Sequence, residues 1–334
     1  MATELVLGFA VAGTFVLYAL FGGADFGGGV WDLLASGPRK AEQRALIARA
    51  LGPVWEVNHV WLIVGMVLLF SGFPRAFAAL TVALHVPLTL LLLGIVFRGT
   101  AFTFRTYDAR GDAVQRRWGL VFSVASLLAP LLLGMCVGAV VSGRIRVEGR
   151  VVVSGFFASW TTPFAVAVGV LALCLFAFLA AAYLTAEADT DGLREDFRRR
   201  ALGAGVAVFL AAMGVLLLAR QSAPRVWEGL LQSPFALALH LVTAVAAVAA
   251  FALLWRRRFG LARVAAAVQA GFIVLGWAAS QYPYLVVPDI TLHAAAASPV
   301  VQRALVVALA IGALLVVPSL VLLMRVFQSP PRHG

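Results

Sequence analysis

Charged side chains are scarce in this sequence. They make up 12% of its 334 residues, and only 15 are acidic. A soluble globular domain carries about 25%, so a surface that faces water all round is excluded. Cysteine is nearly absent as well. Cys136 and Cys174 both sit in apolar runs, without CxxC spacing or a neighbouring histidine, which argues against a metal set and leaves two small buried side chains. The N-terminus, MATELVLGFAVAG, has no basic segment ahead of its apolar run; it lacks the layout of a cleaved signal peptide, and the run reads as a retained helix. The short alternating segments of a membrane barrel are missing too. So are a soluble domain, a low-complexity linker and a repeat of fixed period, which leaves one polytopic transmembrane domain over residues 1–334.

What is present is apolar. The chain is 62% hydrophobic with a mean hydropathy of +0.97, and its long unbroken runs of Leu, Ala and Val read as transmembrane helices. The fold class is therefore an all-α integral membrane protein. Nine runs are predicted, at about 5–31, 54–72, 76–97, 118–142, 156–184, 201–219, 233–254, 262–282 and 302–324. A weak duplication, two four-helix groups plus one helix, is compatible with that number.

The net charge of +11 invites a nucleic-acid reading, but no basic stretch is interleaved with aromatics as such a groove requires. The positive-inside rule accounts for the charge instead. Of the 26 basic residues, 19 fall on one side: four at 39–49, five at 98–117, four at 194–200, four at 256–263 and two in the tail. The other side has Arg75, Arg144, Arg146, Arg150, Arg220, Arg225 and Arg303. This asymmetry predicts the N-terminus outside and the C-terminus in the cytoplasm, which requires an odd number of helices.

Against this background a few polar residues stand out, because a charge at the centre of a membrane helix costs roughly 2.5–3.5 kcal/mol on insertion scales. In FGGADFGGGVWD and PVWEVNHVWLI, Asp25, Glu56 and His59 lie in or at the edge of apolar runs, toward the basic side. Glu56 and His59 are spaced i,i+3, on one helix face, with Trp55 and Trp61 flanking and Asn58 between. One reading is a proton path, carboxylates and a histidine relaying protons from the cytoplasm. The other is that the carboxylates only pin helices through hydrogen bonds to backbone. Asp32, nearer the end of its run, is expected to reach water. Glu56-x-x-His59 has half of a di-iron motif, but there is no second copy, so no metal site is expected. Gly22, Gly23, Gly27, Gly28 and Gly29 lack the strand and Lys-Ser/Thr of a phosphate loop; they would let another helix approach or let their own helix bend. His85, just before Pro87, is either a haem ligand or a partner for the backbone carbonyl that proline frees. Arg98 and Arg105 are expected to snorkel to headgroups, and QYPYLVVPDITL at 281–292 to form an interfacial cover.

At these residues a resemblance becomes specific. The segments LYALFGGADFGGGVWDLL, LGPVWEVNHVWLI, LLGIVFRGTAFTFR, GFFASWTTPFAVAVGV, AAYLTAE and YPYLVVPDI resemble, in order and over most of the chain, subunit II of cytochrome bd-type quinol oxidases. The resemblance implies a heterodimer in a bacterial cytoplasmic (inner) membrane. Its larger partner, subunit I, carries the b- and d-type haems and the quinol-oxidising loop. This chain would bind no cofactor alone, apart from a structural quinone held by some members. Membrane lipids, small accessory subunits and quinone or quinol are the other partners implied; nucleic acid is not. Asp25 matches the second Asp of the family's DGFDxGVG pattern, and Glu56 the acid of its W-[DE]-x-N motif. Gly22 replaces the first Asp, Thr103 stands where some members have Asp, and His59 where some have Gln. A proton-coupled transporter and a non-conducting scaffold of a respiratory complex are the alternative functions.

Overall fold

The computed structural model describes residues 2–51, 55–107 and 112–328; side chains at 1–2, 51–57, 105–116, 317, 320, 321 and from 323 onward lie outside the described residues. Thirteen helices form among them. α1 (Ala2–Leu33) is followed by α2 (Lys40–Leu51), α3 (Trp55–Gly72), α4 (Pro74–Ala83), α5 (His85–Tyr107) and α6 (Asp112–Val141). After a short hairpin, β1 (Val147–Glu148) with β2 (Val151–Val152), come α7 (Pro163–Glu187), α8 (Asp191–Ser222), α9 (Pro224–Gln232), α10 (Ala236–Trp255) and α11 (Phe259–Ser280). A second hairpin, β3 (Tyr284–Val286) with β4 (Ile290–Thr291), then leads through α12 (Leu292–Ala295) to α13 (Pro299–Gln328).

Eight of these helices are long and apolar enough to cross a membrane, and the bent pair α3–α4 brings the number to nine. The spans match the nine apolar runs in order, with three main differences at their ends. The run at 76–97 is split. Its first part is α4, bent by 118° from α3, and the third span starts only at His85. Pro74 causes the break, because it has no N–H to donate and pushes the preceding Phe73 out of helical geometry (φ −135°, ψ 58°). The fifth span begins at Pro163 rather than 156, and α8 reaches back to Asp191 through the arginine cluster at 194–200. Both short helices α2 and α9, polar enough to escape a hydropathy reading, flank the bundle. Prolines open α4, α7, α9 and α13, where the missing N–H costs nothing, and Thr162 and Thr190 cap α7 and α8 through their side chains.

The helices pair as α1 with α3 and α6, α5 with α6, α7 with α8 and α11, and α10 with α11, while α1 and α6 both pack on α7. The result is two four-helix groups, α1/α3/α5/α6 and α7/α8/α10/α11, joined along α1–α7 and α6–α7, with α13 lying outside them against α1 and α3. Glycines permit the closest contacts. A Cβ on Gly27 would stand 1.9 Å from the Phe176 carbonyl oxygen and one on Gly29 2.1 Å from Ser126 Oγ, while Gly23 faces the Phe176 ring. Gly28 is buried beside them. Contacts of this kind let membrane helices associate by dispersion, without a hydrophobic driving force. The expected bending of the glycine-rich helix is not needed, since α1 runs unbroken from Ala2 to Leu33.

Two sets of contacts mark the two ends of the bundle. At one end Arg146 binds Asp289, His293 binds Glu4, and Thr3 donates to Gln302. At the other, Arg39 and Gln43 hold Asp196, Arg49 pairs with Asp189, Arg200 donates to Gln43, and Arg263 pairs with Glu187. The hydrogen bonds from Arg39 to Asp196 push that arginine's pKa further above its ordinary value.

Gly27→Leu would force α1 from α7. Overpacking costs about 1–3 kcal/mol even in tolerant cores, so a lower melting temperature and less folded protein are expected by size-exclusion chromatography. Gly13→Ala, with nothing within 4 Å of the new Cβ, is the control and should behave as the parent.

Candidate functional site

The glycines of α1 bring α6 and α7 close, and Arg98 of α5 reaches in to meet one carboxylate. Asp25 and Arg98 are 1% and 2% exposed. Arg98 Nη1 donates to Asp25 Oδ2 at 2.7 Å and Nη2 to Oδ1 at 2.6 Å, a two-pronged ion pair; Nη2 also reaches the Asp25 carbonyl at 3.0 Å. Nε donates to Ser126 Oγ at 3.0 Å, which in turn donates to the Phe122 carbonyl. The guanidinium lies 5.1 Å from the Phe26 ring centroid and 5.0 Å from that of Phe122. Hydrogen bonds and the negative faces of two rings together replace the water that both ions have lost.

Two expectations are corrected here. Arg98 does not snorkel: it sits on the face of α5 that packs against α1 and α6, where a buried counter-charge attracts it more strongly than distant headgroups. Asp32 does not reach water either. It is 2% exposed, accepts from Ser123 Oγ at 3.4 Å and stands 3.9 Å from Arg44 Nε, because the α1–α2 turn folds back over the end of α1.

Asp25 and Asp32 are seven residues apart, two turns and about 10 Å along one face of α1. With Ser123 and Ser126 of α6 they make a buried polar seam from the arginine-rich end inward. Pro130 adds to it, since its missing N–H leaves the Ser126 carbonyl free. Beyond Asp25 the seam meets Tyr18, Asn58 and His59. The His59 ring centroid is 6.0 Å from those of Tyr18 and Phe26. Tyr18 Oη, Asn58 Nδ2 and His59 Nδ1 are all buried without a hydrogen-bond partner, a costly state for polar groups away from water. Trp61 is half-buried on the same helix. The side chains of Trp55 and Glu56 lie outside the described residues, so the expectation that Glu56 joins this group is not addressed.

The other sequence candidates are elsewhere. His85 is the first residue of α5, not its middle; its Nδ1 is 2.9 Å from the Val82 carbonyl and its ring meets Phe156 edge-on at 4.8 Å. Thr103 is exposed and bonds the Gly99 carbonyl. Gly22 lies under the Tyr18 ring, 3.0 Å from a Cβ built there. Among the described residues no three of His, Cys, Asp and Glu form a metal-binding group. Sequence reasoning missed Ser123, Ser126 and Tyr18; the i,i+3 serines of α6 were a signal available in SVASL.

A second feature was not foreseen. An apolar cavity of about 1290 Å³ fills the half of the bundle away from the seam, between α1, α3, α4, α5, α6 and the start of α10 and end of α11. Trp277 Nε1 and Gln281 Oε1, both from residues lining it, are buried without partners.

Comparison with known proteins bears on the family and the fold. The model of the family described as cytochrome bd terminal oxidase subunit II matches residues 3–327. The chain belongs to this family. A Bacillus subtilis (strain 168) protein with the provisional name cytochrome bd menaquinol oxidase subunit II is 22% identical over 345 residues, spanning 100% of this chain and 98% of the relative. The cytochrome bd-I ubiquinol oxidase subunit 2 of Escherichia coli (strain K12) is 26% identical over 170 residues, 50% of this chain and 44% of that one. In the solved structure of bd oxidase from Geobacillus thermodenitrificans, one chain superposes with a TM-score of 0.83 at 26% identity, covering 98% of this chain and 99% of that one. The protein is thus a multi-span subunit of a bacterial quinol:oxygen oxidoreductase whose haems belong to the partner subunit. The transporter and scaffold alternatives are not favoured.

The ion pair gives a sharp test. Asp25→Asn leaves a buried guanidinium without its counter-charge, and breaking such a pair costs about 3–5 kcal/mol; a marked fall in thermal stability of the purified complex is expected. Asp25→Leu combined with Arg98→Leu should regain most of that loss. Equal stability of the single variant and the parent would exclude a buried pair.

Proposed function

We propose that this chain, besides supporting assembly of the haem-bearing subunit I, conducts protons from its arginine-rich face toward the partner's oxygen-reducing haem. The arginine-rich face is the cytoplasmic one, by the positive-inside rule, and the membrane is the bacterial cytoplasmic membrane. The observation that carries the reading is the buried seam, running from Asp32 to the three unpartnered polar atoms on Tyr18, Asn58 and His59. Both oxygens of Asp25 accept from Arg98, so Asp25 acts as a fixed counter-charge. The groups assigned to pass a proton are His59, with its unpartnered Nδ1, and Glu56, three residues before it on α3.

His59→Phe and Glu56→Gln are each expected to slow oxygen turnover and proton uptake in vesicles by about tenfold, a barrier rise of ~1.4 kcal/mol, with the complex still assembled. Unchanged turnover and uptake in both would assign these residues to a non-conducting scaffold.

The structural quinone belongs in the apolar cavity. Its walls are aliphatic and aromatic, suited to an isoprenoid tail, and two residues that line it, Trp277 and Gln281, each carry a buried polar atom without a partner. Trp277 would donate to a quinone oxygen, and Gln281 Oε1 would accept from a quinol hydroxyl. Together they would orient the head group, while the apolar walls exclude water. Trp277→Phe with Gln281→Leu should lower the quinone extracted per mole of complex several-fold, about the effect of losing two hydrogen bonds, with the haem absorption spectrum unchanged. Quinone content equal to the parent's would exclude this site.

A further inference from the structure

A second groove opens on the outside of the bundle, where α1, α7 and α11 leave a furrow of about 370 Å³. Its walls are Val16 and Leu20 of α1 and Val264, Val268 and Leu275 of α11, with Gly271 as its floor. These α11 positions lie on one face of the helix, and from Arg263 to Leu275 they extend about 18 Å at 1.5 Å per residue. One leaflet of hydrocarbon is about half of the ~30 Å membrane core, so the furrow runs roughly the depth of a single leaflet.

The furrow is capped by charge at the arginine-rich end alone. Arg263 stands at its mouth with its guanidinium 5.7 Å from the Tyr183 ring centroid. Its Nη1 donates to Glu187 Oε1 at 2.8 Å, one turn further along α7. That leaves Nε and Nη2 without a hydrogen bond among the described residues. The adjoining α10–α11 turn carries Arg256, Arg257 and Arg258, all exposed. Arg257 pairs with Glu195; Arg256 and Arg258 make no ion pair among the described residues. Trp255, 75% exposed, precedes them, an aromatic at headgroup level. An apolar furrow one leaflet deep, ending on fixed and partly unsatisfied arginines, is complementary to one class of molecule: an anionic lipid.

We propose that this groove binds an anionic glycerophospholipid of the leaflet on the arginine-rich face. One acyl chain lies between α1 and α11, and the phosphate is held by Arg263. Tyr183 and Glu187 fix the guanidinium from one side, so little side-chain freedom is lost on binding. Arg256 and Arg258 supply the longer-range field that favours a negative over a zwitterionic head. Glu187 opposes the same phosphate, so the site is tuned below its maximal affinity. The proposal rests on the outer furrow and its arginine-rich end and does not depend on the proton seam or the quinone cavity.

The experiment uses the whole oxidase complex, stripped of lipid and re-exposed to phosphatidylglycerol or to phosphatidylcholine, with retained lipid counted by native mass spectrometry. Phosphatidylglycerol should be retained over phosphatidylcholine, and less so at high salt. Arg263→Gln should reduce its retention about fivefold, the effect of one arginine near an anionic membrane surface. Gly271→Leu, which fills the floor and leaves every charge in place, should reduce it as well. Glu187→Gln should retain as much or more. Equal retention of the two lipids, or parental retention by both Arg263→Gln and Gly271→Leu, overturns the proposal. The haem spectrum and oxygen turnover, followed in parallel, report on the complex itself and keep a misassembled variant from being counted as a lost lipid site.

Discussion

The structure depends on one ion pair formed out of reach of water. Asp25 and Arg98 are each too costly to bury alone, and each is buried because the other is there. The geometry that makes the pair affordable constrains three helices. α1 must present Asp25 beside a glycine that admits Ser126, α5 must place Arg98 at the same depth, and α6 must supply Phe122 for the guanidinium face. A rotation of any of the three would strand a charge, so the pair acts as a register mark as well as a contact.

From that mark the bundle divides by depth. Toward the arginine-rich end lie the serines, Asp32 and the network joining α1, α2 and α8 through Gln43, Asp196 and Arg200. Toward the other end the helices diverge, α3 turns into α4 at Pro74, and an apolar cavity takes the place of the seam. The polar seam lies within the first four-helix group, while the apolar cavity also draws walls from α10 and α11 of the second.

The departures from the family pattern also make physical sense at this level. Gly22, where the pattern has an acid, lies under the Tyr18 ring. Thr103, where some members carry Asp, is exposed and spends its hydroxyl on its own helix. With no acid at either place, the polar groups of the seam are concentrated around Asp25 and Asp32.

The sequence by itself determined the membrane class and the eight or nine spans, because composition and hydropathy act locally and need no knowledge of neighbours, and its motifs carried the resemblance to the family. It also singled out Asp25 as a residue that must have a reason to be there. It did not determine that reason. Read alone, Arg98 is a cation near the end of an apolar run and Asp32 an acid near water; both readings failed because a side chain's surroundings are set by elements far away in the chain, 73 residues apart for Asp25 and Arg98. The same holds for the break at α3–α4, where a proline's local effect becomes a 118° bend only between packed neighbours, and for the cavity and the groove, which belong to no single segment. Pairing, depth and enclosed space are relations between helices, and only the tertiary structure decides them.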